Sequence, residues 1–324
     1  MKICFVRRVV PLALIATLLV ACSRDPNVRK QKYFQSGQSY FEKGKYREAA
    51  IEFINALKID PDYADAHYQL ARTYIKTQQW PRAYQEFTRT IELQPENYPA
   101  HADLAKLLIA GGNLRRAKDE TDLLLAKWPN HSKSHFMAAN LLAPQANFPA
   151  AIEEVQKAIA LDPNDWDLYL NLALMQMKNN QSDLSEANFK KAIGLNPNAM
   201  DARLMLASYY QSRGRFVESE QQLQSAIQID PKNPEPRAAV ARLYLAEGKK
   251  AEAEEFLQNA KRDFPDTSVG YRMLGDYYFV TGDLDKALAD FSKSGHRAVL
   301  EIKGSSSRWA YVEDPNGIWI ELFT

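Results

Sequence analysis

Hydrophobic and polar positions along the chain follow a pattern that repeats every 34 residues from Lys30 to about Ser294. Within each repeat, apolar residues at positions 4, 7, 8 and 11 have helical spacing, and positions 20, 24 and 27 form a second face of the same kind. Each repeat therefore predicts a pair of amphipathic helices. A pair this short cannot bury its own apolar face, so consecutive pairs are expected to stack into a solenoid. The eight repeats begin at Lys30, Ala64, Tyr98, Ser132, Trp166, Met200, Pro234 and Ser268.

Glycine and proline mark the turns between the predicted helices. Position 15, between the two helices, is glycine in five repeats and Asn180 in a sixth, and both residue types tolerate the left-handed backbone that ends a helix. Position 32 is proline in seven repeats, from Pro61 to Pro265, and it blocks continuation of the second helix. Small residues at positions 8 and 20, such as Ala71 and Ala83, are expected to let the paired helices pack closely.

This arrangement of aromatic, small and proline positions resembles the tetratricopeptide repeat family over residues 30–294. The resemblance implies an all-α fold, a right-handed superhelical solenoid of eight helical hairpins, whose activity is the binding of other proteins. The departures are local: Ser185 and Ser219 replace alanine at position 20, and Thr121 replaces an aromatic residue at position 24. Pro144 falls late in the first helix of the fourth repeat, where it predicts either a bend or an early end of that helix.

In the tetratricopeptide repeat family, positions 2, 5, 9, 12 and 13 of the first helices line a concave groove. In this chain, those positions mix aromatic residues, cations and amides in repeats one to four, which suits an extended peptide with acidic or carboxylate groups. They become apolar in repeat five, which suits a partner helix. The alternative is that they are partly exposed residues without a ligand. The resemblance implies a peptide-binding groove formed by Phe34, Gln38, Tyr68, Arg72, Lys76, Lys106, Phe136, Asn140, Leu170, Leu174, Met177, Arg242 and Arg272.

Composition and charge favour a folded protein that does not bind nucleic acid. Of 324 residues, 46% are hydrophobic and 25% are charged, as in globular proteins. The formal net charge is +1, and it becomes −2 without the first 21 residues, which contain Lys2, Arg7 and Arg8 and no acid. A chain without excess positive charge lacks the electrostatic term that dominates nucleic-acid binding.

The amino-terminal segment resembles a bacterial lipoprotein signal. A basic start is followed by an apolar run from Val9 to Val20, too short for a transmembrane helix, and the run ends in a lipobox-like sequence with small Ala21 before Cys22. The resemblance implies cleavage before Cys22 and acylation of that residue, which would anchor the chain to a membrane outside the cytoplasm. The alternative is an ordinary cleaved signal with an incidental cysteine.

These features predict four segments. They are a signal peptide over residues 1–21, an acylated cysteine with a short linker over residues 22–29, eight repeats over residues 30–294, and a tail over residues 295–324. Ser23 follows the cysteine instead of aspartate, which in a Gram-negative host favours the outer membrane, with the protein facing the periplasm. The expected partners are other envelope proteins, in assembly, secretion or polysaccharide export.

The sequence contains no arrangement of residues typical of catalysis. It has no Walker, HExxH or GxSxG stretch and no CxxC pair. His67, His101 and His135 share position 4 of successive repeats, but equivalent positions in stacked hairpins lie about 8 to 10 Å apart, whereas zinc ligands lie about 2 Å from the ion. We predict that these histidines pack like the tyrosines at position 4 of other repeats. No enzyme activity, metal, cofactor or small-molecule substrate is expected.

The last thirty residues break the repeat pattern. Three short runs rich in β-forming residues, over 298–303, 308–313 and 318–323, alternate with turn sequences. The last two runs resemble the closing strands of glyoxalase and bleomycin-resistance (vicinal-oxygen-chelate) domains, in which the residue matching Glu321 can bind a metal. The remaining ligands of such a site are missing, so Glu321 is expected to be an ordinary acid on a strand. A metalloenzyme with a repeat arm and a passive spacer are the alternative functions.

Overall fold

The computed structural model describes residues 25–264 and 268–295, together with the backbone of residues 297–302, 308–313 and 319–323. The predicted signal peptide and the predicted lipid attachment at Cys22 lie outside the described residues. The chain forms two compact units, which divide between Pro163 and Asn164. We call them unit 1 and unit 2.

The described part of unit 1 consists of eight α-helices in four antiparallel pairs, and each pair corresponds to one sequence repeat. The helix bounds agree with the predicted turns, but the first helix already begins at Pro26, within residues 22–29 that were predicted to be a linker. The helices are α1 (Pro26–Glu42), α2 (Tyr46–Ile59), α3 (Ala64–Lys76), α4 (Trp80–Leu93), α5 (Tyr98–Ala110), α6 (Leu114–Lys127), α7 (Ser132–Leu142) and α8 (Phe148–Leu161).

The described part of unit 2 contains four further helix pairs followed by three strands. The helices are α9 (Trp166–Lys178), α10 (Ser182–Leu195), α11 (Met200–Ser212), α12 (Phe216–Ile229), α13 (Glu235–Ala246), α14 (Lys250–Lys261), α15 (Val269–Thr281) and α16 (Leu284–Lys293). The strands β1 (Arg297–Ile302), β2 (Arg308–Glu313) and β3 (Trp319–Phe323) form an antiparallel sheet in the order β1-β2-β3. Arg297 pairs with Glu313, and Trp309 pairs with Phe323.

Small residues allow the two helices of each pair to approach closely, as predicted. Ala71 and Ala83 are completely buried, and they lie in the same core cluster as Phe87. In the first pair, a methyl group added at Gly37 would lie 2.6 Å from the ring of Phe53, which is also completely buried. The core of each hairpin is therefore an aromatic or aliphatic side chain packed against a small residue of the other helix.

The turn inside each helix pair has the left-handed conformation that the glycines at position 15 predict. The same conformation also occurs where position 15 is not glycine. The residues with positive φ at this position are Gly44, Gln78, Gly112, Ala146, Asn180, Gly214, Gly248 and Gly282.

The residues that depart from the family pattern are accommodated by local hydrogen bonds. The buried hydroxyl of Ser185 donates to the carbonyl oxygen of Ala173 at 2.8 Å, and Ser219 makes the equivalent bond to Ala207. Thr121 donates to the carbonyl of Ala117 in its own helix at 2.7 Å. Each hydroxyl has a partner, so its burial does not leave an unsatisfied polar group.

Pro144 ends its helix early and does not bend it. Helix α7 stops at Leu142, a single 3₁₀ turn covers Ala143–Gln145, and Ala146 takes the left-handed turn position. The proline cannot donate the backbone hydrogen bond that another helical turn requires.

Candidate peptide-binding site on the first helices of unit 1

A pocket of about 460 Å³ lies on the first-helix side of unit 1 and brings together three of the predicted groove residues. Arg72 and Lys76 belong to α3, and Lys106 belongs to α5, one repeat further along the chain. Phe41, at the end of α1, and Trp80, at the start of α4, complete the sides of the pocket. We call this site the Arg72 pocket.

The three cations of the Arg72 pocket are available to a ligand. Lys76 and Lys106 are exposed and Arg72 is half-buried. Within the part of the chain that the structure describes, no carboxylate forms an ion pair with any of the three. The guanidinium of Arg72 lies 5.3 Å from the ring centre of Phe41 and 5.7 Å from that of Tyr68, which are cation–π distances. These contacts hold Arg72 in place before a ligand arrives.

An acid in the same pocket already has a partner. The hydroxyl of Tyr68 donates a hydrogen bond to Oδ2 of Asp103 at 2.9 Å. Burial and the neighbouring Asp103 carboxylate raise the pKa of Tyr68, so the hydroxyl keeps its proton and continues to donate. Asp103 therefore cancels only part of the positive potential of the three cations.

Apolar side chains form the remaining walls of the Arg72 pocket. Ile75, Leu107 and Ala110 contribute aliphatic surface, and Phe87 lies beneath them in the core. Trp80 is 49% exposed, which is unusual for so large an apolar side chain. The site thus combines an apolar surface with exposed cations.

Trp80 is the most exposed aromatic residue of this site, and the predicted groove did not include it, nor did it include Phe41 and Asp103. The predicted groove included only first-helix positions, whereas Trp80 is the first residue of the second helix in its pair. The sequence did contain a usable signal, because position 17 is also aromatic at Tyr46, Phe148 and Phe216.

The structure corrects part of the predicted groove. Phe34, Phe136 and Leu170 occupy position 5 and were expected to face a ligand, but each is no more than 9% exposed. Phe34 packs against the rings of Phe53 and Tyr63, with centroids 5.8 and 5.1 Å away. Position 5 therefore contributes to the core in these repeats, and these three side chains are not available as anchors.

The other predicted residues remain at least partly accessible. Gln38, Asn140 and Tyr68 in unit 1 are half-buried, and the hydroxyl of Tyr68 donates a hydrogen bond to Asp103. In unit 2, Arg242 and Arg272 are exposed. Leu174 and Met177 are half-buried and pack against the core cluster that contains Leu170, so repeat five presents less apolar surface than predicted.

The three histidines at position 4 do not simply pack like tyrosines. Each imidazole uses Nδ1 to contact a glutamate of the second helix in its own repeat and Nε2 to contact the proline carbonyl that ends the preceding repeat. The Nδ1 partners of His67, His101 and His135 are Glu86 at 2.5 Å, Glu120 at 2.5 Å and Glu154 at 2.7 Å. The Nε2 partners are Pro61 at 2.9 Å, Pro95 at 3.0 Å and Pro129 at 3.0 Å. We call this series the histidine ladder.

The described residues offer neither a metal-binding cluster nor a membrane-spanning helix. Over 25–264 and 268–295, no three His, Cys, Asp or Glu side chains are grouped closely enough to hold a metal ion. In the same ranges, no helix combines the length and the apolar composition needed to cross a bilayer.

Sequence comparisons match the chain to models of one repeat family. A TPR repeat model matches residues 37–78, one tetratricopeptide repeat model matches residues 78–141 and 210–277, and another matches residues 136–181 and 170–234. Together the matched ranges run without a gap from 37 to 277, which is more than half of the chain. No curated protein matches the sequence.

Solved structures resemble this chain at low sequence identity. The APC/C hetero-tetramer Cut9-Hcn1 is 18% identical with a TM-score of 0.58, and the match covers 72% of this chain and 45% of that chain. This chain therefore spans less than half the length of that structure. A tetratricopeptide repeat protein from Parabacteroides merdae is 18% identical with a TM-score of 0.49, over 72% of this chain and 92% of that one. The pilF protein of Pseudomonas aeruginosa is 18% identical with a TM-score of 0.42, and the match covers 80% of this chain and 100% of that chain. The likeness to Cut9-Hcn1 supports a fold of stacked helical hairpins.

Proposed function

Because the chain belongs to the tetratricopeptide repeat family, we propose that it is a non-catalytic scaffold that holds partner proteins on the first-helix face of unit 1. The observation that carries this proposal is the Arg72 pocket, which is lined by exposed Trp80 and by three cations that form no ion pair with the described residues. Such a combination of aromatic surface and arginine is typical of residues that dominate binding at protein interfaces. Cations that make no ion pair within the described chain are free to pair with a partner.

The proposal extends to the location of the protein. The lipobox-like sequence before Cys22 supports anchoring of the mature chain by acyl groups on that cysteine, on the outer face of the cytoplasmic membrane or on the periplasmic face of the outer membrane. Anchoring would place a bound partner at the membrane surface and raise its local concentration there without additional contacts. Assembly, secretion and polysaccharide export are the envelope processes that such a scaffold would serve.

Capture of partner proteins tests the binding function. The full chain and a variant with Arg72→Glu, Lys76→Glu and Lys106→Glu would each be used to capture proteins from an extract of the native cell envelope. We expect the variant to lose at least one protein that the unmodified chain retains, because three attractive contacts become repulsive.

A matched control separates a local effect from a change in net charge. Arg47, Lys58 and Lys127 are exposed cations on the second helices of unit 1, and their reversal to glutamate changes the net charge by the same amount. This control should retain the captured protein. Equal loss in both variants, or equal retention, would contradict recognition by the first-helix face.

Membrane anchoring has a separate test. Replacement Cys22→Ser removes the only thiol that the lipobox-like sequence offers for acylation. We expect mass spectrometry of the unmodified chain to show an amino-terminal Cys22 that carries acyl groups, and the Cys22→Ser variant to carry none. An unmodified chain without acyl groups on Cys22 would contradict the proposed anchor.

We also propose that residues 295–324 are a remnant of a vicinal-oxygen-chelate domain and bind no metal. The turn and strand sequences support this origin, and the antiparallel pairing of β2 with β3 is compatible with it. Deletion of residues 296–324 should leave partner capture unchanged. Metal in the purified full chain that disappears on Glu321→Ala would instead support the metalloenzyme alternative.

A further inference from the structure

We propose that the first turns of α1 bind the anionic head groups of phospholipids, next to the proposed lipid anchor at Cys22. The binding surface consists of Val28, Arg29 and Lys32, and we call it the α1 patch. The inference rests on the proposed membrane anchoring and specifies how the anchored chain contacts the bilayer. The α1 patch does not overlap the Arg72 pocket.

The start of α1 carries cations, whereas several other first helices start with an acid. From Arg24 to Lys32 the sequence has four cations and one acid, Asp25, and the next acid is Glu42. The first turn of α1 contains no acid. The acids in the first turns of α3, α9, α11 and α13 are Asp65, Asp167, Asp201 and Glu235. Because the helix dipole favours acids at this end and disfavours cations, the cations of α1 do not stabilise their own helix.

The acids near the start of α1 neutralise only part of this charge. Asp60 accepts a hydrogen bond from Nζ of Lys30 at 2.5 Å, and the carboxylate of Asp25 caps the helix. Arg29 and Lys32 are exposed, and neither forms an ion pair within the part of the chain that the structure describes. These two cations are therefore available to an external anion.

The α1 patch faces away from the core of unit 1. Gly37 is buried against Phe53, and Val28 lies nine residues earlier, about two and a half helical turns, on the opposite side of α1. Lys32 follows Val28 by four residues and belongs to the same face. Val28 is 48% exposed, so its side chain can enter the head-group region while the cations bind phosphates.

The proposed anchor holds the α1 patch close to the bilayer. Residues 23–25 alone separate Cys22 from Pro26, the first residue of α1. A chain of this length spans at most about 14 Å, and any less extended conformation brings the helix closer to the surface. Attraction to a charged surface decays over about 8 Å at physiological ionic strength. An acyl chain and a basic patch on one protein therefore bind the membrane more tightly than the acyl chain alone.

Partitioning into lipid vesicles tests the inference. The chain from Cys22 to Thr324 contains every described residue, and Cys22 is its one cysteine. Coupling of that thiol to a tetradecyl maleimide supplies a reversible anchor, because a single chain of this length binds membranes weakly. We expect the partition coefficient to be at least about tenfold higher for vesicles of phosphatidylglycerol and phosphatidylcholine than for phosphatidylcholine alone. High salt should remove this preference.

Reversal of the cations identifies the surface that causes the preference. The patch variant carries Arg24→Glu, Arg29→Glu and Lys32→Glu, where Arg24 lies outside the described residues but next to the α1 patch in the sequence. We expect it to partition equally into both kinds of vesicle. The helix dipole favours glutamate in the first turn, so the patch variant should unfold at a temperature no lower than that of the unmodified chain.

A control variant carries the same net charge as the patch variant. It reverses Arg47, Arg115 and Lys127, which are exposed cations on the second helices of unit 1. Arg47 lies at the opposite end of the first hairpin from the start of α1, because the two helices are antiparallel. The control variant should keep the preference for anionic vesicles within about twofold.

The inference is overturned if the unmodified chain does not prefer anionic vesicles, if the patch variant keeps the preference, or if the control variant loses it equally. Because the acyl chain is attached chemically, none of these results depends on acylation of Cys22 in the cell. Native protein without acyl groups on Cys22 would remove the proposed anchor, whereas the vesicle measurement decides separately whether the α1 patch binds anionic lipid.

Discussion

At the scale of single residues, the histidine ladder shows that side chains predicted only to pack in the core can also form specific hydrogen bonds. A carboxylate oxygen and a carbonyl oxygen can only accept hydrogen bonds. Since both nitrogens of His67 and His101 face such acceptors, both must carry protons when both bonds form, and the ring is then positively charged. In unit 2, Arg203 and Arg237 occupy the same position and donate to Pro197 and Pro231, with a charge that does not titrate.

Two histidines of the ladder, His67 and His101, predict that the stability of unit 1 depends on pH. Burial lowers the pKa of His67 and His101, but the hydrogen bonds to Glu86, Glu120 and the proline carbonyls outweigh it, and the pKa of both histidines lies above 6.5. Near His67, the charge of Arg89 acts in the same direction as burial.

Because the folded pKa is raised, the stabilisation is complete below the unfolded pKa of about 6.5 and is lost as the pH rises through the folded pKa. We expect the unfolding midpoint of unit 1 in thermal scans to fall as the pH increases from about 6 to about 8. A variant with His67→Arg and His101→Arg copies the arrangement of unit 2 and should lose most of this dependence. An identical pH dependence in both proteins would show that other groups cause it.

The ladder could have been found in the sequence. Position 23 is glutamate in all three repeats that have histidine at position 4, namely Glu86, Glu120 and Glu154. The periodicity of a single helix does not predict the pairing, because 19 residues separate His67 from Glu86 and the two lie on different helices. Only the hairpin brings the two positions together. The two residues could therefore be paired only after the hairpin had been inferred.

At the scale of elements, the sequence predicted the helices well because each turn has its own chemistry. Proline and glycine fix where helices end, and small residues fix which faces pack. The exposure of position 5 was not predictable in the same way. Phe34 is buried by Tyr63, which belongs to the turn before the next repeat, and helical periodicity says nothing about that contact.

The left-handed turn at position 15 predicts opposite changes in stability for two substitutions, alanine to glycine in one repeat and glycine to alanine in another. A side chain with a Cβ costs roughly 1 to 2 kcal/mol in this conformation. Ala146 has a φ of 57° and Gly44 a φ of 71°. We expect Ala146→Gly to raise the free energy of unfolding by about 1 kcal/mol, less than the full strain because glycine also gains freedom in the unfolded chain.

Gly44→Ala is the reverse substitution at the equivalent position of the first repeat. Its added methyl group meets no atom within 4 Å, so only the backbone strain should act, and stability should fall by about 1 kcal/mol. Urea unfolding of the two variants and the unmodified chain provides the comparison. Destabilisation by Ala146→Gly would contradict this explanation of the turn.

At the scale of the whole molecule, the fold and the class of function follow from the repeat pattern, but the binding site does not. The sequence placed Arg72, Lys76 and Lys106 on first helices, and the structure brings them to one pocket. It could not show that Trp80 joins them from a second helix, or that Asp103 is held by Tyr68. Those facts depend on contacts between neighbouring repeats.

Photo-crosslinking in living cells tests most directly whether the first-helix face of unit 1 binds a partner. A photoreactive phenylalanine derivative would replace Trp80 in one protein and Arg47, on the second helix of the first repeat, in another. We predict an adduct with another protein at position 80, its absence at position 47, and its loss after charge reversal of Arg72, Lys76 and Lys106. No adduct at position 80, or the same adduct from both positions, would contradict binding at this face.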